Sequence, residues 1–139
     1  DLAYSSSRAK YATPGVNIGL FCSTPMVPLS RTVGKKQAME MLLTGDLIDA
    51  NKALRIGLIN DVFEEDSLKE NVFQIAKKIS SKSSNTIKIG KEAFYKQKDM
   101  NLEDAYTFTS KVMTENMLHD DSKEGIDAFL EKREPNWKE

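Results

Sequence analysis

Several absences limit the chemistry before any element is assigned. The 139 residues contain one cysteine, Cys22, and one histidine, His119. A lone cysteine excludes an intramolecular disulfide and any cysteine-based zinc site, and one histidine with scattered carboxylates offers no metal-ligand spacing. Apolar runs are short, the longest cluster lying around Asn17–Cys22, so no segment is long enough to span a bilayer as a helix. An excess of either charge is missing too. The net charge is -1, which removes the electrostatic case for nucleic acid or an anionic membrane surface. There is no repeat and no low-complexity tract. Acid is unevenly spread as well: after Asp1 the first Asp or Glu is Glu40.

What remains is an ordinary globular composition, 40% hydrophobic and 29% charged. The chain opens on Asp-Leu-Ala-Tyr, which reads as the middle of a strand and thus as part of a longer protein. Leu2–Tyr4 and Ala9–Thr13 look like short strands joined by a turn at Ser5–Ser7, with no evident partners within the chain. Pro14–Gly15 ends the second, and Val16–Phe21 follows as an apolar loop. Thr24 as N-cap and Pro25 at the first helical position predict a helix that Pro28 delays or shortens.

Further on the signals sharpen. Lys35–Leu43 predicts a helix burying Ala38, Met41 and Leu42, and Asp49 caps a second over Ala50–Ile56, stopped by a left-handed Gly57. Leu58–Phe63 reads as a strand. Ser67 and Glu70 have capping-box spacing ahead of a stripe formed by Leu68, Val72, Ile75, Ala76 and Ile79. Three more helices follow. One covers Thr86–Gln97 with Ile87 and Phe94 apolar. Asn101 caps the next, with Leu102, Ala105, Phe108, Val112 and Met113 inward; Asp121 opens the last, faced by Ile126, Phe129 and Leu130. A tail, Arg133–Trp137, is broken by Pro135. The residues alone thus indicate a mainly helical piece in need of more sheet.

Leu43–Ala50 with its Thr44–Gly45 pair, then Ala53, Gly57–Ile59 and Val62, resembles a helix–turn–strand passage of the crotonase superfamily, the enoyl-CoA hydratase/isomerase family. The end resembles that family's closing helix: Lys123–Gly125, Ala128–Phe129, Glu131–Arg133, Pro135 and Trp137. Ala12–Asn17, Phe21–Pro25 and Gly90–Lys96 further resemble its enoyl-CoA hydratase domain-containing members of the third subgroup, which implies a mitochondrial setting. The implied fold is α/β, a spiral of ββα units. This chain would be the mainly helical C-terminal half, with residues 1–63 completing the spiral and 64–139 forming a helical trimerisation region. Homotrimers or hexamers are implied, as is a ligand that is an acyl-CoA thioester. No cofactor is implied, coenzyme A being part of the substrate.

The resemblance also frames the chemistry. Hydratases add water across an enoyl thioester with two carboxylates, and two backbone N–H groups hold the thioester oxyanion. The first carboxylate and both donors belong to the upstream half. The second follows a Pro, and here Thr13–Pro14–Gly15 puts Gly15 at that position. Some isomerases place their acid later, near Ser23–Thr24, where this chain again has none. Hydratase chemistry of the usual kind is therefore not expected. The resemblance leaves two readings: a family enzyme with altered chemistry, or a non-catalytic acyl-CoA binder or assembly subunit. In relatives the closing helix borders the CoA site of a neighbouring subunit and its lysine can meet phosphate, which implies that role for Phe129 and Lys132; the alternative is Phe129 in the core and Lys132 a solvated lysine. Trp137 packs across a subunit boundary or covers the last helix, the former being favoured. Cys22, Ser23 and Thr24 could be nucleophiles only with a base beside them. They read instead as a small buried residue and two helix-capping residues, and His119 as a residue flanking the final helix.

Overall fold

A computed structural model describes residues 1–138. Both early strands have partners after all, but far along the chain. Strand β1 (Tyr4–Ser6) lies parallel to β4 (Asp61–Phe63), and β2 (Lys10–Tyr11) lies antiparallel to β3 (Ile48–Asp49). Ser5 and Ser6, expected in a turn, belong to the strand. Ser5 is buried, and its hydroxyl accepts from the Tyr11 phenol at 2.6 Å. Short runs carry no record of distant pairing, so the sequence alone specifies no partner for these strands. Just before the register begins, Asn60 clamps the strand ends: Ala3 N donates to its side-chain oxygen and Asn60 N to Ala3 O, both at 2.7 Å.

Parallel strands need a long crossover, and here it is built from three helices. These are α1 (Ser23–Thr32), α2 (Lys35–Thr44) and α3 (Ala50–Arg55). The predicted core of α2 is buried as expected: Ala38, Met41 and Leu42 pack with Leu29, Ile48 and Ala53. Asp49 caps α3, accepting the Lys52 N–H at 2.7 Å, an arrangement worth about 1 kcal/mol. Two details differ from expectation. Helix α1 starts two residues early, with Cys22 rather than Thr24 at the cap, and it runs ten residues straight through Pro28. Proline forfeits one backbone bond there, and burial of Leu29 on the next residue holds the helix to the core. Helix α4 (Glu65–Ser80) likewise begins before Ser67, whose hydroxyl donates to Glu64 O instead of forming a capping box.

Contacts divide the chain into two units, Asp1–Ile75 and the residues from Ala76 onward. The second holds α5 (Ser84–Gln97), α6 (Leu102–Met117) and α7 (Asp120–Glu131). Asn101 caps α6 as expected, accepting from Asp104 N at 2.9 Å. His119 caps α7, its Nδ1 accepting from Asp121 N, which fixes it as a flanking residue rather than a base. The start of α5 is tied to α7 by a buried pair in which Ser83 Oγ donates to Asp121. Yet among the described residues of this unit the one fully buried apolar side chain is Ala128. Ala105, Phe108 and Val112 are half-buried, whereas Leu102 and Met113, expected inward, are exposed at 75% and 61%. These amphipathic helices thus leave much of their apolar faces open within the unit.

This contrast predicts unequal sensitivity within the first unit. Leu42→Ala, at 1% exposure, should cost about 2–5 kcal/mol in urea unfolding. Leu47→Ala, at 71% exposure, should stay within about 0.5 kcal/mol of the parent.

Candidate functional site

Two places gather the residues singled out by sequence, one in each unit. The first is the stretch from Thr13 to Cys22. Where the sequence predicts a strand ended by Pro14–Gly15 and a loop over Val16–Phe21, the stretch opens with a 3-10 turn, Pro14–Ile18, with Pro14 at its first position. Gly15 N–H donates to the Cys22 thiol at 3.2 Å, and Leu20 N–H donates to Gly15 O at 2.9 Å. The turn is also held from α2. Gly45 ends that helix at φ +65°, and a Cβ there would lie 3.0–3.1 Å from Val16 and Asn17. Left-handed backbone and close approach both demand glycine, which supplies a physical reason for the Thr44–Gly45 pair. No carboxylate occurs between Leu2 and Met39, so this wall of the site carries no acid. Cys22 is half-buried against the core, Ser23 is the first residue of α1, and its hydroxyl donates to Phe21 O. Neither has a histidine in its own unit, since the single histidine is His119. Nothing in the spacing of residues 15 and 22 signals their contact.

The second place is α7 and the tail. Phe129 is 82% exposed and takes no part in the core of its own unit. It lines an apolar groove of about 750 Å³ together with Ile87, Met113, Met117 and Ile126. Lys132 does not line that groove. It caps α7 in the left-handed conformation, at φ 55°, while Arg133 N–H returns to Ala128 O at 3.0 Å. A lysine there sacrifices roughly 1 kcal/mol or more that glycine would not. Trp137 covers the last helix: its indole N–H donates to Ser81 O at 2.8 Å, and its ring lies against Gly125. Among the described residues no group of three His, Cys, Asp or Glu side chains could hold a metal, and no helix is long and apolar enough to cross a membrane.

The tail is fastened by charge. Arg133 reaches Glu124 through two nitrogens at 2.6 and 3.0 Å, and Asn136 N–H adds a third bond at 2.7 Å. These hydrogen bonds, the guanidinium's first, hold the Glu124 carboxyl down at about 2. Lys138 similarly lowers Asp120 through a bond at 2.9 Å.

A parallel strand pair closed by a helical crossover, a glycine-clamped turn and a cluster of C-terminal helices match the arrangement that the resemblance to the crotonase class implies. The sequence profile of the enoyl-CoA hydratase/isomerase family matches residues 1–139, and the chain belongs to that family. It is 50% identical over 137 residues to the mouse (Mus musculus) mitochondrial enoyl-CoA hydratase domain-containing protein 3, covering 99% of this chain and 46% of that protein. The crystal structure of the human enoyl-CoA hydratase domain-containing protein 3 superposes with a TM-score of 0.93 at 49% identity, over 99% of this chain and 54% of that one. An enoyl-CoA hydratase of Mycobacterium smegmatis gives 0.94 at 42% identity, over 99% and 53%. The chain thus spans about half the length of the relatives it matches.

Because the Glu124 carboxyl is depressed, its contribution is complete above its ordinary value near 4.5 and is lost as pH falls toward about 2. Trp137 fluorescence should therefore report release of the tail across that acid range. Arg133→Ala should abolish the transition, and a tail that holds unchanged through pH 2 would contradict the assignment.

Proposed function

We propose that this chain is part of an acyl-CoA-binding protein acting on fatty acyl-CoA thioesters without the two-carboxylate water addition of a hydratase. The observation that carries this reading is the turn at Gly15, the position the family resemblance assigns to the second glutamate. It is acid-free and hydrogen-bonded on both sides. Addition of water needs one carboxylate to orient and deprotonate it and a second to deliver the proton to carbon; removing one such group costs ~10²–10⁴-fold in rate. Oxyanion stabilisation of a thioester would be supplied from the upstream half and is indifferent to residue 15. The protein would retain binding and polarisation of the thioester and lack water activation.

On the closing helix we assign Phe129 as an apolar contact and Lys132 as a phosphate contact for coenzyme A. Lysine suits phosphate as a flexible point charge. Its left-handed backbone supports the role, since a residue that only capped the helix would be better as glycine. The exposed apolar surfaces of α6 and α7 support burial in a homotrimer or hexamer, and the names of the domain-containing relatives support a mitochondrial location. The closed turn also favours a second reading, that of a non-catalytic acyl-CoA binder or assembly subunit.

Crotonyl-CoA hydration by the full-length protein, followed beside calorimetric titration with acyl-CoA, separates these outcomes. Binding with hydration at least ~10²-fold below a two-carboxylate hydratase is expected. Hydration at family rates would overturn the role given to Gly15, and turnover of the thioester by another route would remove the non-catalytic reading. Lys132→Gly should raise the melting temperature, by relieving the left-handed backbone, while weakening CoA binding severalfold. Unchanged affinity would return Lys132 to a capping role alone.

A further inference from the structure

A side chain on residue 15 has no free direction in which to leave the backbone. Its Cβ would lie 2.7 Å from Leu20 O and 2.8 Å from Cys22 Sγ, closer than real Cβ atoms come to such neighbours. Neither obstacle withdraws cheaply. The Leu20 carbonyl belongs to a peptide chain folded back by the bond from Leu20 N–H to Gly15 O at 2.9 Å. The thiol accepts the Gly15 N–H at 3.2 Å, and its own residue caps α1, Cys22 O accepting from Met26 N at 2.9 Å. Cys22 also packs on the core formed around Leu42 and Ala53. The same thiol therefore bonds the glycine's backbone and fills the space beside its missing side chain.

We infer that Cys22 is a positioning residue paired with Gly15, its sulfur holding the ground a residue-15 side chain would need, so that positions 15 and 22 jointly decide whether this wall can carry an acid. The inference rests on the reading of residue 15 as the family's acid position. It changes what the loss means. A vacated carboxylate site would leave room for water or for a restored acid. Here the gap is closed by sulfur and a carbonyl, and a thiol is a weak hydrogen-bonding group that orients water poorly. Specificity for reactions other than hydration then lies in two residues instead of one.

The test uses the full-length protein in two arms. In the first, Gly15→Ala and Cys22→Gly are compared singly and together by urea unfolding. Because Leu20 O crowds residue 15 in either background, the comparison isolates the sulfur. Gly15→Ala should lower the folding equilibrium constant about tenfold less when residue 22 is Gly than when it is Cys. It should also speed alkylation of the displaced Cys22 thiol by iodoacetamide. Additive stabilities with an unchanged alkylation rate would overturn the pairing. In the second arm Gly15→Glu is placed beside Cys22, Cys22→Ala and Cys22→Gly, and crotonyl-CoA hydration is measured. Activity should rise as residue 22 shrinks, an ordering that a merely structural role would not produce. Full hydration by Gly15→Glu with Cys22 intact would overturn the inference. Coupled stabilities with no hydration in any Glu variant would leave the pairing standing and remove the reading of residue 15 as an acid position.

Discussion

The parallel pairing of Tyr4–Ser6 with Asp61–Phe63 is the constraint on which the first unit is built. Parallel strands cannot be joined by a tight turn, so everything from Ser7 to Asn60 is committed to a crossover. That crossover must return over the strands, and its core is one cluster in which Ala38, Met41, Leu42 and Ala53 are all buried with Leu29 and Ile48. The second pair, Lys10–Tyr11 with Ile48–Asp49, then draws the chain past Thr13 and fixes where the 3-10 turn starts. The position of Gly15 follows from these pairings.

Within that frame the helices of the first unit were readable from local pattern. Asp49 carries its cap in its own side chain, and Ala38, Met41 and Leu42 recur at helical spacing, so α2 and α3 depend little on distant residues. Strand pairing was not readable, because three-residue strands have too little pattern to specify a partner. The capping box failed for a related reason. Ser67 and Glu70 have the right spacing, but Glu64 directly follows β4, and the backbone turns into helix at once. In the candidate site, the lack of acid was visible in sequence, whereas the closure around Gly15 depends on the chain folding back from Leu20. That closure is a tertiary fact.

The second unit shows the opposite balance. Its helices were legible, and Asn101 and the start of α7 lie where expected to within a residue. The prediction of their inward faces failed at Leu102 and Met113, because a helical stripe reports that burial is wanted and not where the covering surface comes from. The polar links in this unit compensate locally. Ser83 with Asp121, Arg133 with Glu124 and Trp137 with Ser81 orient the helices and tail by directional bonds, where the first unit relies on packed side chains. A unit held in this way is defined in shape yet leaves its apolar faces available for a neighbour.

The Gly45 contact with Val16 and Asn17 and the closure of Leu20 and Cys22 on Gly15 share one property: each neighbour fits only because a side chain is missing. Such fits are easy to enter and hard to leave. With sulfur and carbonyl set against a glycine, any larger residue at position 15 meets a steric penalty. On the role proposed for residue 15, the turn from Thr13 to Cys22 would work as an evolutionary ratchet, because a way back to an acid there would require at least two coordinated changes.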